Sequence, residues 1–165
     1  FNPLAVADVK KLLLARGVAA DASEVLARIS EGSVGTALNL NEQNALEYRH
    51  TALSFLEALP LEFPMNYVTD RTWVVKYERA EAMLFVKLLQ LLLRDMLFIK
   101  TGVTVNLYNC DVQENLTALS GGWQPQDLKK ALAATNDAYK ALASSVGVKL
   151  VMENLAMKIG NFRKE

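Results

Sequence analysis

The side chains that most often carry out catalysis are scarce, with one histidine and one cysteine among 165 residues. His50 lies in a helical stretch with no nucleophile signature beside it, so a general-base role lacks the partner that such chemistry needs. Cys110 precedes a predicted helix, a position that can activate a thiol, yet the sequence places no base near it. We therefore interpret both as structural or surface residues and predict no catalytic residues.

Metal and cofactor motifs are also missing from the sequence. Glu78 and Glu81 are three residues apart, but neither is followed three residues later by the histidine that a di-iron helical bundle requires. No cysteine or histidine cluster has zinc spacing. The chain contains neither Gly-x-x-x-x-Gly-Lys-[Ser/Thr] nor Gly-x-Gly-x-x-Gly. The sequence predicts no metal and no cofactor.

Composition excludes several further classes of protein. The chain carries 18 Lys and Arg against 18 Asp and Glu, so its formal net charge is zero, which disfavours broad attraction to nucleic acids or anionic membranes. Hydrophobic residues make up 52%, which excludes a disordered tail. The most apolar stretch, 82–99, is interrupted by Lys87, Gln90, Arg94 and Asp95, so it predicts a buried helix and no membrane span. A single cysteine fits a reducing compartment.

Helical periodicity dominates the first part of the chain. The first helix is predicted to end at Gly17, because glycine suits the left-handed position after a helix. Asp21 and Glu24 form a capping-box pattern at the start of the second. Gly32 ends that helix and Ser33 caps a third. The apolar faces of these helices are short, so we expect this three-helix unit to lean on a neighbour.

The remainder also reads as helices, and nothing alternates with period two over a useful length, so the predicted fold class is all-α. Pro60 and Pro64 bracket a break, and 103–109 is an irregular loop. Pro125 suits a first helical turn. One predicted helix begins at Asn41, and another begins at Asp111, with Glu114 completing a capping pattern. The other predicted helices cover 67–75, 77–101, 126–146 and 149–162. The side chains expected in the core of the second part are Leu88, Leu92, Leu132, Tyr139, Leu155 and Ile159.

Four parts of the chain carry a family resemblance, in the family's own order. They are Phe1-Asn2-Pro3-Leu4 with Ala15-Arg16-Gly17-Val18, the stretch Ile29-Ser30-Glu31-Gly32-Ser33-Val34-Gly35-Thr36-Ala37-Leu38, the segment Leu93-Arg94-Asp95-Met96-Leu97 with Lys100-Thr101-Gly102, and Leu150-Val151-Met152-Glu153-Asn154-Leu155. Together they resemble the C-terminal part of the delta-prime subunit of the bacterial DNA polymerase III clamp loader. The resemblance implies an AAA+ lid-type three-helix domain at 1–42 and a helical collar domain at 43–165.

The resemblance also implies a function and a set of partners. The chain opens with Phe1, which suggests a fragment of a longer cytoplasmic subunit whose ATPase-type domain is missing. The whole subunit would sit with other clamp-loader subunits in a pentameric ring that places the sliding clamp on primed DNA during replication. The parent complex would be a DNA polymerase holoenzyme with AAA+ ATPase motor subunits. DNA and the clamp would be reached only through that complex, with no membrane contact, and the isolated fragment would be a monomer or weak dimer.

One departure from ATP-hydrolysing relatives bears on the subunit type. Their lid pattern is Gly-Ser-x-Arg, whereas this chain has Gly35 in the arginine position, so no guanidinium is available to hold a phosphate. This favours the delta-prime type. The alternatives are a gamma or tau motor-subunit fragment, a stand-alone helical DNA-binding or interaction module, which would want a basic face, and a small helical enzyme, which would want clustered ionisable groups.

A ring subunit needs two different contact patches, because ring contacts are heterologous. The first candidate is the polar stripe of Lys87, Gln90 and Arg94, spaced i, i+3, i+7 on the long helix. The second is the final helix, where Lys158 and Arg163 flank the apolar side. The competing interpretation of the stripe is an ordinary solvated face, or an Arg94 bonded within its own domain.

Overall fold

The computed structural model describes residues 2–59, 76–103 and 106–163. Within these ranges the chain forms α-helices and no strand, which confirms the all-α prediction. The helices are α1 (Val6–Ala15), α2 (Ala20–Ile29), α3 (Val34–Glu42), α4 (Ala45–Glu57), α5 (Arg79–Lys100), α6 (Gln113–Ser120), α7 (Pro125–Ala143) and α8 (Val148–Phe162). The break predicted at Pro60 and Pro64 and the helix predicted at 67–75 lie outside the described residues.

Several helix ends follow the local sequence. Gly17 has a φ of +83° after α1, as predicted for a left-handed position. The Ser33 hydroxyl accepts a hydrogen bond from the Thr36 backbone N–H at 3.2 Å, so Ser33 caps α3. Gly32 has a φ of +84°, and a Cβ there would fall 2.6 Å from the Cβ of Pro3. Both the backbone conformation and the close approach therefore require glycine at that turn.

Two predicted starts in the first half are wrong. The second helix begins at Ala20 after Ala19, so Asp21 lies inside its first turn and does not cap it. The Glu24 carboxylate binds Lys10 and Arg28 instead of a backbone N–H.

The helix predicted to begin at Asn41 starts later. Residue 41 still belongs to α3, and the chain breaks at Asn44, whose φ is +53°. Asparagine adopts the left-handed region more readily than other non-glycine residues, and this lets the turn form there.

The long helix α5 lies at the centre of the molecule and packs against α4, α6, α7 and α8. Its 22 residues make it about 33 Å long. The backbone N–H of Glu78 donates to the Glu81 carboxylate at 2.8 Å, so the two glutamates considered for a metal help to begin this helix. The helix was predicted over 77–101, and Gly102 follows its observed end with a φ of +79°.

The last third contains one wrong capping prediction and one shortened helix. A 3₁₀ turn, Cys110–Val112, precedes α6, and the Asp111 side chain binds Arg49 instead of capping. Pro125 occupies the first turn of α7 as predicted. That helix ends at Ala143, not at 146, and Ser145 follows with a φ of +65°. Val146, the last residue of the predicted helix, therefore lies outside α7 and is 39% exposed.

Buried side chains form two apolar clusters. One combines α1, α2 and α3 with Ala45 of α4 and Leu88 of α5, so the three-helix unit leans on the long helix. The other is built from α4 to α8. Of the predicted core residues, Leu88, Leu92, Leu155 and Ile159 are buried, whereas Leu132 and Tyr139 are only partly buried. The domain limits 1–42 and 43–165 stay a prediction.

Candidate interaction surfaces

Arg94, at the C-terminal end of the predicted polar stripe, makes its contacts within the chain. Its guanidinium lies 4.2 Å from the centroid of the Phe98 ring and 4.3 Å from that of Tyr108. Nη1 donates to the Asp95 carboxylate at 2.9 Å and to the Asn106 carbonyl at 3.4 Å. Its side chain is 28% exposed. Two ring faces and a carboxylate therefore hold this arginine against the loop that follows α5.

Asp95 is a buried carboxylate that organises the same loop. Its side chain is fully buried, and it accepts hydrogen bonds from the backbone N–H of Asn109 at 2.8 Å and from the side-chain amide of Asn109 at 2.9 Å. Together with Arg94, these donors satisfy both carboxylate oxygens, as a buried charge requires. The arrangement therefore holds the loop against α5.

Arg49 of α4 extends this network. It donates to the Asn109 side-chain oxygen at 3.1 Å and binds both oxygens of Asp111. Burial disfavours ionisation of Asp111, but the hydrogen bonds and charge of Arg49 outweigh it, so the pKa of Asp111 lies below its ordinary value. The loop is thus bound both to α5, which precedes it, and to α4, about 60 residues earlier.

Tyr108 ties the loop to the three-helix unit. Its hydroxyl donates to the Glu31 carboxylate at 2.6 Å, and this bond is the main reason why the pKa of Tyr108 is raised. Glu31 lies in the turn between α2 and α3, where its φ is +52°. The hydrogen bond therefore links the part of the chain before α4 to the loop between α5 and α6.

The rest of the polar stripe has a different environment. Lys87 is exposed and Gln90 is half-buried. Lys87 lines an open groove between α3, α5 and α7, together with Asn39, Gln43 and Tyr139. The stripe is therefore split: one end is solvated and the other is bound within the chain.

The two residues of the predicted second patch also have different roles. Arg163 donates to the carbonyl oxygen of Leu56 at 3.2 Å and to that of Leu59, at the end of α4. Its guanidinium also packs on the turn at Gly122, where a Cβ would lie only 3.2 Å from it. Burial lowers the pKa of Arg163. Arg163 joins the end of the chain to α4, although an additional contact with a partner stays a prediction.

Lys158, in contrast, is exposed at an open apolar groove between the last two helices. We call this feature the α7–α8 groove; it has a volume of about 240 Å³. Its lining consists of Ala134, Asp137, Ala138, Ala141, Val146, Leu150, Val151, Asn154, Leu155 and Lys158. The sequence interpretation named Lys158 but missed the groove, whose signal is an apolar Leu150 on the outer face of α8.

The residues considered for chemistry lie in three different elements. Gly35 is exposed near the start of α3, and no atom lies within 4 Å of a Cβ built there, so packing does not exclude an arginine. His50 is exposed on α4, and Cys110 is a half-buried free thiol. Across 2–59, 76–103 and 106–163, no three His, Cys, Asp or Glu side chains are grouped to hold a metal ion.

A family model described as "DNA polymerase III, delta subunit, C terminal" matches residues 43–160. The chain belongs to this family. The match starts just before α4 and stops near the end of α8, so it covers the helices that build the larger apolar cluster. A search of curated proteins finds no match.

Membership in this family supports the predicted relation to the DNA polymerase III clamp loader. The chain is related to a clamp-loader subunit of DNA polymerase III, and membership implies association with other subunits of the replication complex. Among the described residues, none of the helices of this chain combines the length and the apolar character that a membrane span needs.

Proposed function

We propose that this chain is the C-terminal region of a clamp-loader subunit of the delta-prime type, and that it holds the loader ring together while the sliding clamp is placed on primed DNA. The observation that carries the clamp-loader part of the proposal is the family match over residues 43–160, from just before α4 to near the end of α8. Supporting it, the bundle has a continuous apolar core around α5, and its polar network joins α4 and α5 to the segment between α5 and α6. Such a body is suited to presenting shaped surfaces to neighbours.

The proposed role is non-catalytic. Ring assembly needs complementary surfaces, whereas catalysis needs ionisable groups gathered in a pocket. Asp95, the most buried charged group described, has both oxygens engaged by Arg94 and Asn109. In this proposal ATP hydrolysis belongs to other subunits, contact with DNA occurs only through the assembled cytoplasmic complex, and the isolated chain is a monomer or weak dimer.

The assignment to delta-prime depends on Gly35. A motor subunit of the gamma or tau type would carry an arginine there, and the open surroundings of Gly35 would accommodate one. Its absence supports a subunit that does not clamp nucleotide. The family description names the delta subunit, so a delta-type subunit is the second candidate.

Two measurements on the purified chain test this proposal. The first is co-purification with the other clamp-loader subunits of its source, where we expect a stable complex and where failure to join would contradict the ring role. The second is titration with a labelled ATP analogue, where we expect no binding. Micromolar affinity for the analogue would contradict the delta-prime assignment and favour a motor subunit. Gly35→Arg is the matched variant, and we expect no gain in affinity because the sequence lacks a phosphate loop.

A further inference from the structure

The floor of the α7–α8 groove has the form of a helix-binding surface. Ala134, Ala138 and Ala141 lie on one face of α7 at spacing i, i+4, i+7, and Val151 and Leu155 lie on the facing side of α8. Small side chains on one wall let another helix approach closely, because the distance between helix axes depends on the side chains at the contact.

One end of the groove exposes more apolar surface than the fold requires. Leu150 is 64% exposed, the highest fraction among the described large hydrophobic side chains, and Val146 beside it is 39% exposed. Single exposed leucines are ordinary, but these two continue directly into the apolar floor. Water at this position would be displaced favourably by an apolar side chain.

The rims of the groove carry opposite charges. Asp137 lies on the α7 side and Lys158 on the α8 side, and both are exposed. Within the described ranges, neither forms a salt bridge or a side-chain hydrogen bond. A docked helix would therefore be oriented by a basic residue facing Asp137 and an acidic residue facing Lys158, because complementary charges set register and suppress wrong partners.

The size of the groove indicates what kind of partner occupies it. Its lining contains 10 residues, whereas a stable protein interface engages about 20 to 30 residues on each side. Two copies of this chain joined only here would dissociate readily. A ring subunit is held at several places at once, so one small contact is sufficient when the others raise its effective concentration.

We propose that the α7–α8 groove binds an amphipathic helix of a neighbouring clamp-loader subunit. An apolar side chain of that helix contacts Leu150 and the alanine floor, and its charged residues pair with Asp137 and Lys158. This inference rests on the proposed ring function and assigns it one of the two patches that a heterologous ring requires.

Leu150→Lys tests the apolar part of this contact. We expect the melting temperature of the isolated chain to stay unchanged, because the side chain is already exposed. The affinity for the reconstituted remaining loader subunits should fall by roughly tenfold or more, because docking would bury an unpaired charge. The matched control is Leu14→Lys on α1, where the leucine is 43% exposed and lies outside the groove.

Lys158→Glu tests the charge pairing. We expect weaker assembly and a smaller dependence of affinity on ionic strength, because a favourable ion pair is replaced by repulsion. The matched control is Lys129→Glu. Lys129 is exposed like Lys158, but it lies on α7 and outside the groove, so the same charge change there should leave assembly unchanged.

The outcomes separate the groove from the ring function. If the unmodified chain fails to join the other subunits, both proposals are overturned. If it joins and Leu150→Lys joins equally well, or if Leu14→Lys loses as much affinity, only the groove assignment is overturned. Sedimentation equilibrium tests whether a second copy of the chain occupies the groove instead. If the chain forms a dimer that Leu150→Lys abolishes while loader assembly stays intact, the groove belongs to the dimer and the proposal is overturned.

Discussion

At the scale of the residue, two cations of one helical stripe have different environments. Lys87 and Arg94 are seven residues apart on α5, and both interrupt an apolar run. Lys87 is exposed, whereas Arg94 lies between two aromatic rings and contacts the buried Asp95. The difference arises because the loop at 106–109 folds back over the C-terminal half of α5. A period of 3.6 shows which face a residue occupies, but it does not show which other segment covers that face.

Arg94→Glu should therefore destabilise the isolated chain. The change removes a charge-assisted hydrogen bond and two ring contacts and places a second carboxylate beside Asp95, so we expect a loss of about 1–3 kcal/mol in the free energy of unfolding. Lys87→Glu should change it by less than about 0.5 kcal/mol. Chemical denaturation measures both values, and co-purification with the loader subunits shows whether Arg94 also contacts a partner. Unchanged assembly with reduced stability would reject the interface role.

Asp111 gives the stability a dependence on pH with a definite sign. Its folded-state pKa is below the ordinary 3.8, so the Arg49 contact stabilises the fold above pH 3.8 and is lost as the pH falls through the lowered value. We expect the stability difference between the wild type and Arg49→Met to be largest near neutral pH and to shrink on acidification. The bond from Arg49 to Asn109 does not titrate and leaves a residual difference.

The control for this titration is Asp111→Asn, measured in the same series of denaturant curves. When Arg49→Met is combined with Asp111→Asn, its effect on stability should no longer change with pH between neutral and acid conditions. In the chain that keeps Asp111, a stability difference that grows as the pH falls would contradict the direction of the pKa shift.

At the scale of the element, the helix ends that were predicted correctly have local determinants, whereas the roles of Asp111 and Arg163 were missed because their partners are distant in sequence. Gly17, Ser33 and Pro125 mark helix ends through backbone conformation or a bond to a neighbour three residues away. Asp111 matches a capping pattern equally well, but its carboxylate binds Arg49, 62 residues earlier. Arg163 contacts carbonyls more than 100 residues earlier. Patterns of spacing carry no information about such contacts.

Arg163→Ala should loosen the end of α4 even though the residue lies beyond the last helix. The variant leaves the Leu59 carbonyl without its described donor and removes the packing on Gly122, so we expect a loss of about 1–3 kcal/mol. Lys158→Ala, on the same part of the chain but exposed, should cost less than about 0.5 kcal/mol. Hydrogen exchange should report faster opening of the last turn of α4 in Arg163→Ala alone. Equal stability of the two variants would show that the described contacts of Arg163 contribute nothing.

At the scale of the whole molecule, the three-helix unit and the larger bundle share the long helix. The first apolar cluster is completed by Ala45 and Leu88, which lie in α4 and α5 and not in α1–α3. Short apolar faces in the sequence predicted that the unit leans on a neighbour, but they could not show which helix or which leucine it contacts. The Tyr108–Glu31 hydrogen bond adds a polar link across the same boundary. Because part of its core comes from α4 and α5, the three-helix unit is expected to unfold together with the larger bundle.

Leu88→Ala and Leu92→Ala test this coupling, because the two leucines lie one turn apart on α5 and belong to different clusters. Leu88 is 2% exposed and Leu92 is 0% exposed, so each truncation should cost about 2–5 kcal/mol.

If the boundary between 1–42 and 43–165 is crossed by one cooperative core, calorimetry will show a single transition in both variants, with the calorimetric and van't Hoff enthalpies in agreement. A separate, earlier transition in Leu88→Ala alone would mean that the three-helix unit unfolds independently. A loss well below 1 kcal/mol in Leu92→Ala would mean that the packed face of α5 is assigned wrongly. We expect one transition, because removing Leu88 weakens a surface that both parts of the molecule need in order to be buried.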